Sequence, residues 1–204
     1  MPSYSSLPET DKFTARTDPV RWPGLDATGV RLSLRREDLL FPQLSGNKFR
    51  KLHHNLAAAR KAGTETLLTF GGAYSNHIHA TAEAGRRFGL RTIGLIRGEE
   101  LAGASLNPTL MDARQRGMQL EFISREAYRR RGEPGFQDEL QERFGPFWLL
   151  PEGGTNALAV KGCSEILREE DSRYDLFCCP VGTGGTLAGL VASGYGEVWG
   201  YPVV

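Results

Sequence analysis

The sequence carries almost no excess charge of either sign. Its 204 residues include 25 Lys and Arg against 24 Asp and Glu, a formal net charge of +1 at pH 7. A protein that is held electrostatically on nucleic acid or on an anionic membrane needs a basic surplus, and this chain has none. The composition therefore predicts neither a nucleic-acid nor a membrane partner and favours a small-molecule ligand.

Cysteines and long apolar runs are also scarce. The three cysteines, Cys163, Cys178 and Cys179, form no C-x-x-C motif and no even set of pairs. We therefore expect reduced, buried thiols in a cytoplasmic protein. No apolar stretch reaches membrane length and the N-terminal segment has no apolar leader core, so we expect a protein that is neither exported nor membrane-spanning.

Several signatures of common active sites are missing. The chain has no G-K-[ST] of a nucleotide P-loop and no G-x-S-x-G elbow of a serine hydrolase. His77 and His79 are two positions apart, so on a helix they point to different faces, and no Cys or carboxylate completes a ligand set. We expect no metal site.

Glycine, in contrast, is abundant. It accounts for 25 of 204 residues and clusters just after short apolar runs, where strands turn into helices. Strands are predicted at 30–34, 66–70, 92–96, 119–123, 147–150, 175–181 and 197–204, and helices at 48–61, 76–88, 108–115, 136–144, 157–170 and 186–192. This alternation predicts an α/β fold with mainly parallel sheets covered on both faces by helices.

Ligands of such sheets bind where strands end and helices begin, which singles out three loops. The first contains Ser45, Gly46, Asn47 and Lys48 at a helix start. The helix dipole there eases deprotonation of Lys48, and a neutral amine is what Schiff-base chemistry requires. The alternative is that Lys48, Arg50 and Lys51 form a solvated basic face.

The second loop follows the strand 66–70 and contains Gly71, Gly72, Ser75, Asn76 and His77. Its glycines allow close approach to a planar ligand, although plain helix capping by Ser75 or Asn76 explains the pattern equally well.

The third loop follows the apolar strand 175–181. Its glycines, hydroxyls and helix N-terminus form an anion cradle suited to a phosphate monoester: Gly182, Thr183, Gly184, Gly185 and Thr186.

Together, in order and spacing, the three blocks resemble the 1-aminocyclopropane-1-carboxylate deaminase and D-cysteine desulfhydrase family, from about residue 30 to 193. The resemblance implies the fold type II of pyridoxal-phosphate (PLP) enzymes, a two-lobed three-layer αβα sandwich. It places a smaller lobe at 50–155 and a larger PLP-binding lobe at 1–49 plus 156–204. Homodimers are common in this family.

The resemblance also implies residue roles. Lys48 would carry PLP as a Schiff base and move the Cα proton, Asn76 would bind the 3-hydroxyl oxygen of the cofactor, and the third loop would bind its phosphate. Ser75 would contact the substrate carboxylate or assist proton transfer, with Tyr74 and His77 also at the substrate. Relatives have Gln at position 74, and His at position 77 is typical of the desulfhydrase side.

The implied reaction is deamination by β-elimination, or by opening of a cyclopropane ring, to a 2-oxo acid and ammonia, in the lyase or hydrolase class. Racemisation of an amino acid on the same fold is the second hypothesis. Family members continue for about a hundred residues beyond this sequence, so an inactive, C-terminally truncated fragment that retains the PLP loop is the alternative, and a nucleotide-binding domain ranks last.

Overall fold

The computed structural model describes residues 14–41, 44 and 46–203; Ser45 of the first motif lies outside them. In chain order the elements are β1 (Thr17–Val20), α1 (Pro23–Asp26), β2 (Leu32–Arg35), α2 (Asn47–Lys61), β3 (Thr66–Gly71), α3 (Asn76–Phe88), β4 (Arg91–Arg97), α4 (Pro108–Gln115), β5 (Met118–Ile123), α5 (Arg125–Arg129), α6 (Pro134–Phe144), β6 (Trp148–Leu150), α7 (Ala157–Ser164), β7 (Leu176–Val181), α8 (Gly185–Ser193) and β8 (Glu197–Pro202).

The largest sheet has the strand order β5-β4-β3-β6, and all its neighbours are parallel. Every residue of β3 is buried, as expected for a parallel strand covered on both faces. On one face, Leu67 and Leu150 pack against the apolar stripes of α2 and α3. On the other, Leu68 and Phe70 pack against α5 and α6. The predicted three-layer α/β architecture is confirmed.

A second, smaller unit follows β6. Strands β7 and β8 form a parallel pair, and the cluster beneath them joins α7, the segment after it, and α8: Cys163, Ile166, Leu167, Cys179 and Leu190. Glycines allow the helices to touch here. A Cβ added at Gly162 would lie 2.0 Å from the backbone oxygen of Arg50, and one at Gly189 would lie 2.2 Å from Cβ of Cys163. This contact brings the start of α2 close to the start of α8.

The structure differs from the prediction at several elements. Helix α1 was not predicted and has only four residues. Strand β1 pairs antiparallel with β2 and was not predicted, because its short sequence contains Pro19 and lacks an apolar pattern. Helix α7 ends at Ser164 instead of 170, since the adjacent Ile166 and Leu167 both turn into the core. Cys178 is exposed while Cys163 and Cys179 are buried, so the expectation of three buried thiols is wrong for Cys178, whose strand position faces away from that cluster.

Within the described ranges, no helix combines the length and the apolar character needed to cross a bilayer.

Candidate active site

The position of the site follows from the strand order. After β3 the chain adds β4 and β5 on one side, whereas β6 pairs with the other side of β3. The loops that leave β3 and β6 therefore diverge, and such a switch point opens a crevice at the carboxyl ends of the strands. A cavity of about 350 Å³ lies there, lined by Asn47, Lys48, Lys51, Ser75, Asn76, His77, Gly153, Pro180, Val181, Gly182, Thr183, Gly184, Gly185, Thr186 and Leu187. This volume is in the range of small-ligand sites.

Lys48 is the second residue of α2 and is half-buried. Its Nζ lies 3.4 Å from Oδ1 of Asn47. Burial lowers the pKa of Lys48 below its usual value, because removal from water disfavours the charged form. The sequence predicted an eased deprotonation from the helix dipole; the leading cause in the structure is burial. A neutral amine at this position can act as a nucleophile.

Lys51 lies one helical turn further along and is only 3% exposed. Its Nζ donates to the backbone oxygen of Gly153 at 2.9 Å, to Oγ1 of Thr155 at 3.1 Å and to Oγ1 of Thr183 at 3.4 Å. Burial, and next the positive charge of Lys48, lower the pKa of Lys51 to about 8. The cavity therefore holds a second lysine, which is mostly charged at neutral pH and titrates just above it.

The loop before α8 supplies the anion cradle. Gly184 takes the left-handed conformation, with φ 78°, at the N-cap of α8. A Cβ at Gly185 would lie 2.7 Å from Oγ1 of Thr155 and 3.1 Å from Nζ of Lys51, so only glycine fits there without movement. Thr183 shares a 2.7 Å hydroxyl contact with Thr155. Backbone donors of a helix start, hydroxyls and an ammonium group together suit a phosphate.

The loop after β3 is shaped by close packing. A Cβ at Gly71 would lie 2.5 Å from Cγ1 of Ile78, which explains the glycine. Ser75 caps α3, its Oγ accepting from the backbone N–H of Ile78 at 3.3 Å. Asn76 is exposed and lines the cavity, whereas Tyr74 is 78% exposed and does not line it.

The side chains of His77 and His79 lie on different faces of α3, as their spacing predicts. His77 is 1% exposed, and neither ring nitrogen has a hydrogen-bond partner among the described residues. Burial, and then the charges of Lys48 and Lys51, lower the pKa of His77 to about 3, so its imidazole is neutral at neutral pH. His79 points elsewhere and contacts Oδ2 of Asp112 at 2.7 Å. Buried polar atoms without partners are uncommon in folded proteins, and this imidazole belongs to a residue of the cavity lining.

The structure thus brings the predicted residues of all three loops to one cavity and leaves Tyr74 outside its lining. Sequence reasoning missed Thr155 and Gly153 and treated Lys51 only as part of a basic face. The signal was present: Gly153, Gly154 and Thr155 follow the strand β6 and precede α7, the same strand-glycine-helix pattern as in the other loops.

Comparison with known proteins decides the family. Residues 11–199 match the family model described as pyridoxal-phosphate dependent enzyme. The chain belongs to this family. The cofactor of the family is pyridoxal phosphate, as the sequence resemblance implied.

The similar proteins include deaminases. A protein of Thermotoga maritima, provisionally named a 1-aminocyclopropane-1-carboxylate deaminase, is 37% identical over 172 residues, 80% of this chain and 54% of the relative. A mitochondrial bifunctional D-cysteine desulfhydrase/1-aminocyclopropane-1-carboxylate deaminase of Arabidopsis thaliana is 32% identical over 188 residues, covering 83% and 47%. A crystal structure of a deaminase homologue has a TM-score of 0.72 at 26% identity, covering 89% of this chain and 56% of that one.

This chain spans about half the length of the curated relatives it matches. The names of these relatives refer to small amino acids. The hydrolase class expected from the sequence is wrong: desulfhydration removes a β-substituent by elimination, which is lyase chemistry.

The residues present fit the family cofactor. Lys48 offers an amine whose pKa is lowered, and the loop before α8 offers open space for phosphate oxygens, since a Cβ at Gly182 or Gly184 would meet no atom within 4 Å. Asn76 is an exposed amide in the lining of the same cavity. PLP needs these three things: a nucleophilic amine, an anion cradle and polar groups around its ring.

Proposed function

We propose that this protein uses PLP to deaminate a small amino acid, such as D-cysteine or 1-aminocyclopropane-1-carboxylate, to a 2-oxo acid and ammonia. The observation that carries the proposal is the convergence of Lys48, with its lowered pKa, and the Lys51-containing anion cradle on one cavity. The similarity to a deaminase and a bifunctional desulfhydrase/deaminase supports the choice of reaction.

Each part of the cavity has a proposed task. Lys48 would hold the cofactor covalently, and its Nζ would accept the Cα proton of the substrate. Its lowered pKa favours the neutral amine that both tasks need. The five residues from Gly182 to Thr186, with Lys51, hold the phosphate, and Asn76 binds the ring oxygen. When bound, PLP supplies an electron sink for the pair left at Cα.

The substrate side is formed by the start of α3. The first residues of α3 line the cavity, and the positive end of the helix dipole there suits a carboxylate. We propose that the substrate carboxylate binds there, with the neutral imidazole of His77 as a further hydrogen-bond partner and Tyr74 at the entrance. The groups that face the substrate Cβ then determine whether a thiol is eliminated from Cβ or a cyclopropane ring is opened.

The first experiment compares wild-type protein with Lys48→Ala after addition of PLP. We expect an absorbance band between about 400 and 430 nm that borohydride reduces, with the adduct mapped to Lys48 by peptide mass spectrometry, and no such adduct in the variant. Lys61→Ala, at the exposed end of α2, is the matched control. A mapped adduct at another lysine would contradict the proposal.

Turnover is tested separately with D-cysteine and 1-aminocyclopropane-1-carboxylate, by release of ammonia and 2-oxo acid. Release from wild type and not from Lys48→Ala supports the deaminase. An adduct at Lys48 without turnover of either compound would leave a PLP-binding chain and overturn the proposed reaction.

Three further proposals concern the domain organisation, the oligomeric state and the cellular location, each as expected from the sequence. We propose two lobes, at 50–155 and at 1–49 plus 156–204, which limited proteolysis would test; the four-stranded sheet lies within the first of these ranges. We also propose a homodimer, measurable by sedimentation, and a cytoplasmic location, measurable by fractionation.

A further inference from the structure

A pair of asparagine side chains lies next to Lys51 in the interior. Asn55, fully buried, follows Lys51 by one turn of α2, and Asn156 stands at the N-cap of α7, directly after Thr155. Nδ2 of Asn55 donates to Oδ1 of Asn156 at 3.1 Å, and Nδ2 of Asn156 donates to Oδ1 of Asn55 at 2.8 Å. The reciprocal pair joins the helix of the two lysines to the loop that follows β6.

The orientation of the Asn55 amide is determined by its neighbours. Nε1 of Trp148 lies 3.2 Å from Oδ1 of Asn55, and because an indole nitrogen only donates, the atom that it faces must be the oxygen. Nδ2 then faces the backbone oxygen of Lys51 at 2.8 Å. All four hydrogen-bonding positions of this buried amide are used. A fully paired buried amide holds one geometry.

These contacts close a ring around Lys51. Its backbone oxygen is bound by Asn55, Asn55 is bound by Asn156, and the neighbouring Thr155 accepts from Nζ of Lys51 at 3.1 Å. Both ends of the Lys51 residue are thereby tied to the same short segment. The ring defines where Nζ lies relative to the hydroxyl of Thr183, 3.4 Å away in the anion cradle.

We propose that Asn55 and Asn156 are positioning residues that hold Nζ of Lys51 where it contacts the phosphate of the bound cofactor. The inference rests on the proposed function, which assigns the cavity to a phosphorylated cofactor. Neither asparagine lines the cavity, so both act through Lys51. They therefore set the preference for a phosphorylated ligand and leave covalent capture by Lys48 unaffected.

The test measures dissociation constants of the full chain for PLP and for pyridoxal, which lacks the phosphate. Asn156→Ser breaks the amide pair but keeps an oxygen that can cap α7, and Asn55→Leu removes the buried amide. We expect each variant to lower PLP affinity by about tenfold and to change pyridoxal affinity by less than about twofold.

Thr69→Val is the control for a general loss of packing. It removes another buried hydrogen bond, from Oγ1 of Thr69 to the backbone oxygen of Leu150 at 2.9 Å, and Thr69 does not line the cavity. We expect the ratio of the two affinities to stay at the wild-type value in this variant. Should Asn55→Leu fail to fold, the cap-preserving Asn156→Ser decides the question.

A double-mutant cycle tests whether the asparagines act through the lysine. In a Lys51→Met background, Asn156→Ser should cause no further loss of preference for PLP over pyridoxal. An undiminished effect in that background, or equal losses for both ligands, would overturn the positioning role. If wild-type protein showed no preference for PLP at all, the proposed function would fail; if that preference persisted in both asparagine variants, only the positioning role would fail.

Discussion

Lys48 and Lys51 have the same chemistry but different surroundings. Lys48 is half-buried with a 3.4 Å contact to Asn47, whereas Lys51 is buried and bound by three oxygens. For both, burial is the leading cause of the lowered pKa. The first is therefore free to react, while the second is held as a fixed, titratable charge beside the anion cradle.

The lowered pKa of Lys51 predicts how the stability of the ligand-free protein depends on pH. Folding moves the pKa from 10.5 to about 8, so between these values the unfolded chain binds more protons, and the stability due to this residue rises with pH. The free energy of unfolding of wild type, minus that of Lys51→Met, should increase by on the order of 2 kcal/mol from about pH 7 to pH 10. Urea titrations at both pH values measure it.

Lys61→Met removes a lysine from the exposed end of the same helix and controls for the loss of one positive charge. If the difference in free energy of unfolding between wild type and Lys51→Met stayed constant or fell over this pH range, the lowered pKa of Lys51 would be contradicted.

Among the elements, helices α2, α7 and α8 come together through two glycines. The backbone of α2 at Arg50 lies against Gly162, and the side chain of Cys163 lies against Gly189. Such small residues permit close approach of helices, which here brings the first turn of α2 to the first turn of α8. The contact sets the distance between Lys48 and the loop before α8.

We predict that Gly162→Ala lowers the free energy of unfolding by about 1–3 kcal/mol, since the new methyl group would overlap the backbone of α2 and force the helices apart. It should also weaken PLP binding. Denaturant unfolding and PLP titration measure the two effects.

Gly135→Ala provides the comparison, because Gly135 is in helix α6 and an added Cβ meets no atom within 4 Å. Replacing a helical glycine in open space is expected to be neutral or to stabilise by about 0.4–1 kcal/mol. Equal stability of Gly162→Ala and Gly135→Ala would argue against close helix contact as the reason for Gly162.

At the scale of the whole molecule, burial is unevenly distributed. The central strand β3 is buried throughout, whereas β8 is mostly exposed and carries Trp199 and Tyr201 at about half their full exposure, 51% and 50%. A two-stranded sheet with little cover is only marginally stable. The glycine-rich loop before α8 is therefore attached to the less protected sheet.

This asymmetry predicts the pattern of amide hydrogen exchange. Peptides that cover 67–70 and 93–96 should exchange slowest, and those that cover 197–201 fastest among the strands of the two parallel sheets, because exchange follows local opening of weakly buried elements. Addition of PLP should slow exchange at 182–186 more than at 197–201. Mass spectrometry of native-state exchange measures both, and protection of β8 equal to that of β3 would contradict the prediction.

Local patterns were enough to predict the alternating strands and helices and the glycine-rich loops, because these depend on neighbours in sequence. The bounds of α3 and α4 agree with prediction for this reason. The same patterns left Lys48 open between a nucleophile and a solvated basic residue, and only the family resemblance favoured the nucleophile. Local sequence could not predict the strand order. It also could not predict that the loop after β6 contributes to the cavity and contacts Lys51, because Lys51 and its partner Gly153 are 102 residues apart. Only the packing of helices on the sheet brings them within a hydrogen bond, and this long-range contact completes the anion cradle.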